Sequence, residues 1–178
     1  MFKKENITMD KEIIKKLEPY NPEWSQNFIL EKKKILSQFV EKGIMIEHIG
    51  STSVKEMEAK PIIDIMIGLN DFEKSIKNTK YILGQNDYKE VKFSFDFGER
   101  CFFIKKNREG ERIFTALIVK MNGRLWRKNL EIKKLLMSSQ KEREKYIEFK
   151  KISIEENKGD REEYNRSKEK YFNSPKNK

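Results

Sequence analysis

The chain has 178 residues, 37% apolar and 38% charged, enough for one well-cored domain and too apolar to be disordered. No run approaches the roughly 18 apolar residues of a membrane span, and no signal-peptide core stands at the N-terminus, so a cytoplasmic protein without a membrane partner is expected. Cys101 is the single cysteine and His48 the single histidine, which excludes an internal disulfide and a His/Cys zinc cluster.

The net charge of +10 is unevenly spread. Residues 1–119 hold 21 Lys/Arg against 19 Asp/Glu, whereas residues 120–178 hold 18 against 10. That basic third suits either a solvated helical face or attraction to phosphate-bearing partners, nucleic acid included. Its aromatics Trp126, Tyr146, Tyr164 and Tyr171 fall at helical spacing and read as core-facing rather than as base-stacking platforms.

Residues 1–19 form a charged, weakly patterned lead-in. Asn21 and Pro22 then suit the N-cap and first position of a helix whose apolar stripe, Trp24, Phe28, Ile35 and Phe39, runs to about Glu41 before Gly43. Ile44–Ile49 reads as a strand, Gly50-Ser51-Thr52-Ser53 as a loop entering a short helical turn through Met57, and Pro61–Gly68 as a second strand. Asn70 is placed to cap a helix reaching about Leu83, closed by Gly84. Three β-type runs follow, Tyr88–Phe95, Arg100–Lys105 and Ile113–Val119, joined by turns around Gly98 and Asn107–Gly110 that suit antiparallel hairpins. From Asn122 the pattern is helical: Leu125–Met137, then a helix with Ser139 and Glu142 as a capping box, then a last helix from Gly159-Asp160 to about Phe172. The expected fold is a single α+β domain over residues 1–178, with a sheet-containing core over about 20–119 and C-terminal helices over about 122–172.

The segment from Ile46 to Gly68 carries the chemistry. Asp64 is a lone acid in an apolar strand, and an ionised carboxylate buried there needs a cation, donors or water to meet it. Gly50 allows a sharp turn and close ligand approach, and Ser51, Thr52 and Ser53 add hydroxyls beside loop N–H groups, a combination suited to phosphate oxygens. Lys60 supplies a cation just before the strand, and Asp64 is a hard oxygen donor of the kind Mg²⁺ prefers. The competing reading is a Ser/Thr-rich turn capping a short helix, with Asp64 in a salt bridge. Further candidates are Glu47, a substitute carboxylate if its strand pairs with that of Asp64; His48, a phosphate contact or base; Arg100, a bidentate phosphate clamp; and Asp96 or Glu99, a third acid. Cys101 reads as an inert core thiol.

Ile49-Gly50-Ser51, followed after twelve residues by Asp64-Ile65, resembles the signature of the nucleotidyltransferase superfamily. More narrowly, Tyr20-Asn21-Pro22-Glu23-Trp24, Glu47–Ser53, Ala59–Ile65 and Arg100–Phe103 are similar to the GrpB-like family, with weaker likeness through Trp126, Lys150, Tyr164, Lys168 and Phe172. The resemblance implies a nucleotidyltransferase-like mixed sheet flanked by helices, in which a Gly-Ser turn holds nucleotide phosphates and the next strand offers carboxylates to Mg²⁺. On it, Asp64 and Ser51 are the catalytic candidates; Gly50, Ser51, Thr52, Ser53, Lys60, Arg100 and His48 bind nucleotide; Asp64 and Glu47 bind metal. Two departures stand out. The superfamily's second carboxylate, two residues after the first, is here Met66, and the His-x-His-like pattern that relatives carry on the strand matching Phe114–Val119 is missing. Three functions follow: transfer of a nucleotidyl group from a nucleoside triphosphate to a small acceptor with Mg²⁺; non-catalytic binding of a nucleotide or phosphorylated metabolite; and, least favoured, an RNA-associated role through the basic helices.

Overall fold

A computed structural model of the protein describes residues 16–91 and 100–174. Among them are strands β1 (Ile44–Ile49), β2 (Ile63–Leu69), β3 (Lys89–Val91), β4 (Arg100–Lys106) and β5 (Arg112–Lys120). The helices are α1 (Glu23–Leu36), α2 (Phe72–Gln85), α3 (Arg124–Ser138), α4 (Gln140–Glu156) and α5 (Arg161–Asn173). The strands form one mixed sheet in the order β1-β2-β5-β4-β3. Only β2 and β5 pair in parallel, so the chain crosses between them, whereas β1–β2, β5–β4 and β4–β3 are antiparallel. This is the α+β architecture with a mixed sheet and C-terminal helices that the sequence leads one to expect.

The two sheet faces carry different cores. Toward α1 and α2 lie Ile46, Ile63, Ile65, Ile67, Phe114, Ala116 and Ile118, packed with Trp24, Ile35, Ile82 and Leu83. On the opposite face Ile49, Met66, Leu117 and Val119 pack against Trp126 of α3. A third cluster joins Val54 and Met57, after the Gly-Ser turn, to Leu136 of α3 and Tyr146 of α4. Covered on both faces, β2 reads as a nearly continuous apolar run, as a central strand must. Its only glycine, Gly68, faces the ring of Trp126, where an added Cβ would stand 2.7 Å from Cε3.

Several element ends differ from the pattern-based expectation, each for a local reason. Asn21 accepts from the Glu23 N–H at 2.9 Å, so it organises the turn before α1 from one position outside the cap, which Pro22 occupies. That helix stops at Leu36 rather than Glu41, yet Phe39 still packs on the first core. Asp71, not Asn70, caps α2, accepting from the Lys74 N–H at 3.2 Å, while the Asn70 N–H is spent on the Gly43 carbonyl. Gly84 sits inside the last turn of α2 and Asn86 ends it. The helical turn after Gly50 is a 3₁₀ turn over Ser51–Ser53 only, because Val54 is already extended. The strand expected from Pro61 starts at Ile63, after a tight turn in which the Ile62 N–H meets the Lys60 carbonyl at 2.7 Å. Of the Tyr88–Phe95 run, Lys89–Val91 is strand, and residues 92–95 lie outside the described residues. Ser139 caps α4 as expected, accepting from the Glu142 N–H at 3.3 Å.

Ile65, fully buried at the centre of β2, is the sharpest probe of this packing. Ile65→Ala is expected to destabilise the protein by about 2–5 kcal/mol in urea unfolding, from lost transfer energy and the cavity left behind.

Candidate functional site

Residues opposite each other in the sheet share a face, so the register decides which candidates meet. Asp64 lies opposite Ile49 on one side and Thr115 on the other, and Thr115 lies opposite Ile104. With Leu117 and Phe102 they form the floor of a cavity of ≈ 410 Å³, roofed by α3 and α5 and closed at one end by the Gly-Ser turn and Lys150 of α4. That volume falls in the range of small-molecule sites.

The turn is built around Asp64. Gly50 has φ +73°, a conformation that side chains strain. A Cβ there would stand 3.2 Å from both Cβ and Cγ of Asp64 and closer still to Oδ2, so only glycine lets the carboxylate lie against the loop. Ser53 Oγ donates to the Gly50 carbonyl at 2.7 Å, and Thr52 Oγ1 is 3.0 Å from His48 Nε2. Those two hydroxyls therefore shape the turn. Gly50, Ser51 and Thr52 line the cavity.

His48 points away from it. Adjacent strand residues alternate faces, which puts His48 on the α1 side, stacked on Phe28 at 4.7 Å between ring centroids. Burial, reinforced by Lys133, lowers its pKa to about 4. It is a neutral packing group, not a phosphate contact in this geometry. Glu47 shares the Asp64 face but lies opposite Met66, one diagonal step along the ladder, and the nearby cation is Lys133, which donates to the His48 carbonyl at 2.8 Å. Glu47 does not line the cavity. Met66 is fully buried in the Trp126 cluster, so the position of the superfamily's second carboxylate is core. Asp96 and Glu99 lie outside the described residues. Cys101 is half-buried beside Lys80, and burial raises its pKa, consistent with an unreactive thiol.

What fills the cavity walls is positive charge. Among the described residues, Lys60, Arg100, Arg112, Lys128, Lys150, Arg161 and Lys168 line it, against two carboxylates, Asp64 and Glu169. Lys60 lies over the Tyr164 ring at 4.4 Å, and its pKa is pushed well down by burial and by Arg161 and Lys168, with Asp64 opposing. Lys150 is 1% exposed, donating to Ser51 Oγ at 3.2 Å and to the Glu58 carbonyl. Burial, then Lys168, lowers its pKa to about 7. Tyr146, one turn earlier on α4, is buried with its hydroxyl within reach of Ser51. Apart from Lys60 and Arg100, these cations are not evident from local motifs. The signals for those beyond residue 120 are the charge excess there and the weak family likeness at Lys150 and Lys168, and Arg112 has none.

The family model for GrpB protein matches residues 15–178. The chain belongs to the GrpB family. It is 21% identical to the GrpB protein of Enterococcus faecalis, whose crystal structure covers 88% of this chain and 99% of that one with a TM-score of 0.67, so the two share a fold. With the UPF0157 protein BH1888 of Halalkalibacterium halodurans this GrpB-family chain is 43% identical over 63 residues, 35% of this chain and 31% of that protein, less than a third of the relative's length. A more partial likeness, at TM-score 0.46 and 12% identity over 68% of this chain and 36% of that one, is to the Cid1 poly(U) polymerase.

Two outcomes test this geometry. Met66→Asp, which would restore the acid of the superfamily pattern, is expected to cost about 3–5 kcal/mol in urea unfolding, because it puts an unpaired charge into the Trp126 cluster. Between about pH 7 and the ordinary lysine value of 10.5 the unfolded chain holds a proton on Lys150 that the folded chain lacks, so this group makes stability rise with pH. The stability of Lys150→Met relative to the parent should therefore be most favourable near the acidic end of that window and fall as pH rises, read by unfolding across it.

Proposed function

We propose that this GrpB-family protein binds a nucleoside triphosphate or another phosphorylated small molecule in the cavity between the sheet and the C-terminal helices. The observation that carries this reading is the convergence of seven Lys/Arg on one cavity beside the Gly50–Thr52 turn. Cations on both walls, with loop N–H groups at one end, are the surroundings that phosphate oxygens seek. The apolar floor of Ile104, Leu117 and Phe102 offers a surface for the rest of the ligand. The same convergence turns Lys128, Lys150, Arg161 and Lys168 inward, which leaves less of the C-terminal basic excess for an RNA-binding face. Among the described residues no helix is long and apolar enough to cross a membrane.

Transfer of a nucleotidyl group to a small acceptor is the second reading. Asp64, set against Gly50 at the head of the turn, is the observation that favours it. Mg²⁺, which the resemblance implies for this chemistry, works in two-metal transfer sites with at least two acidic ligands. Asp64 is one such ligand, but Met66 is core and Glu47 does not line the cavity. Among the described residues no three His, Cys, Asp or Glu gather as a metal site. Among the described residues, this donor set does not fit a protein-built Mg²⁺ centre.

Binding is checked by thermal shift of the full chain with the four nucleoside triphosphates, a sugar phosphate and inorganic tripolyphosphate. A ligand at about a hundred times its Kd should stabilise by about 2.7 kcal/mol, and less in Lys168→Met. A flat response to every phosphorylated compound would remove the reading. The second reading is checked by pyrophosphate release from bound nucleotide on adding an acceptor, lost in Asp64→Ala.

A further inference from the structure

The mismatch between the cavity's charge and the metal expected for its fold carries an inference of its own, resting on the reading that the cavity holds a phosphorylated ligand. We propose that the ligand is a polyphosphate bound as the metal-free anion, with Lys60, Lys150 and Lys168 meeting the charge that Mg²⁺ would otherwise neutralise.

The three lysine amines come from separate parts of the chain. Lys60 precedes β2, Lys150 is on α4 and Lys168 on α5, and all line the same cavity. They are close enough for Lys168 to depress both of the others. Like charges brought this near in a partly dry site repel one another, and a multivalent anion between them converts that repulsion into attraction. A single phosphate carries too little negative charge to offset three lysines, whereas a chain of phosphoryl groups brings several charges into the same cavity.

The carboxylates point the same way. A divalent ion at Asp64 would sit in the field of Lys60, which already faces that carboxylate. Glu169, the other acid among the described residues of the cavity, is exposed on α5 and sits in the field of Arg100. Asp64 therefore tempers a cationic cradle and does not anchor a metal. In such a site Mg²⁺ competes with the lysines for the phosphate oxygens, so its effect on affinity has the opposite sign from that in a metal-bridged site.

The experiment is calorimetric titration of the full chain with ATP and with inorganic tripolyphosphate, each in EDTA and in excess Mg²⁺. Binding should be several-fold tighter in EDTA. ATP tighter than tripolyphosphate identifies a nucleotide, and equal affinities identify the polyphosphate chain alone; both support the proposal. Lys150→Met and Lys168→Met should each weaken binding on the order of tenfold. Asp64→Asn should bind as tightly as the parent or more so, where a metal anchor would lose binding. Binding that requires Mg²⁺ or Mn²⁺, or that vanishes in a folded Asp64→Asn variant, overturns the proposal and leaves the phosphorylated-ligand reading standing. No binding of either ligand in either condition overturns both. The comparison of EDTA with Mg²⁺ uses the unmodified protein and so does not depend on any variant folding.

Discussion

The position of Lys150 is the constraint on which the rest of the site depends. A lysine with 1% exposure costs folding energy unless its donors are met, and here they reach Ser51 Oγ and the Glu58 carbonyl. The loop after the Gly-Ser turn is thereby fastened to α4. Lys151 reinforces the attachment through Glu58 at 2.8 Å, and Arg143 does so through Glu56 at 3.0 Å while also donating to the Leu136 and Met137 carbonyls at the end of α3. Below these polar contacts Val54 and Met57 pack against Leu136 and Tyr146. The C-terminal helices are therefore part of the turn's support, and they bring Arg161 and Lys168 over the floor as a consequence.

Much of the fold was legible because its signals are local. The Ile44–Ile49 strand, the Ser139 cap with Glu142 and the Arg100–Lys106 and Arg112–Lys120 hairpin follow from patterning and turn residues within a few positions. Helix ends drifted where two neighbours can both cap, as with Asn70 and Asp71, of which Asp71 accepts from the Lys74 N–H. The site was half legible. Gly50, Ser51, Lys60 and Asp64 sit within one short stretch, and β1–β2 pairing brings their backbones together. His48 was read as a possible phosphate contact or base beside the loop, and the alternation of the strand turns it to the opposite face from Glu47 and Ile49. The cations of α4 and α5 were out of reach, because their convergence depends on how those helices cross the sheet.

Met66 shows how a site can change character without changing its fold. An acid there would have to remain solvated on a face that α3 covers, yet Ile49, Leu117, Val119 and Trp126 close that volume to water. Packing α3 onto β2 and holding a second carboxylate at position 66 are thus alternatives. This chain has taken the packing, and Gly68 admits the indole that completes it. The charge near Asp64 is then set by lysines and arginines, which outnumber the acids among the described residues of the cavity.

The sheet also works as an optical partition. The chain has two tryptophans, and they lie on opposite sides of it: Trp24 in the core with α1 and α2, Trp126 against Gly68 beneath α3. Emission from Trp24 therefore reports the layer remote from the cavity, and emission from Trp126 the layer that adjoins it. With one indole left in place at a time, loosening of either half during unfolding or ligand capture becomes separately visible, with no label added to the molecule.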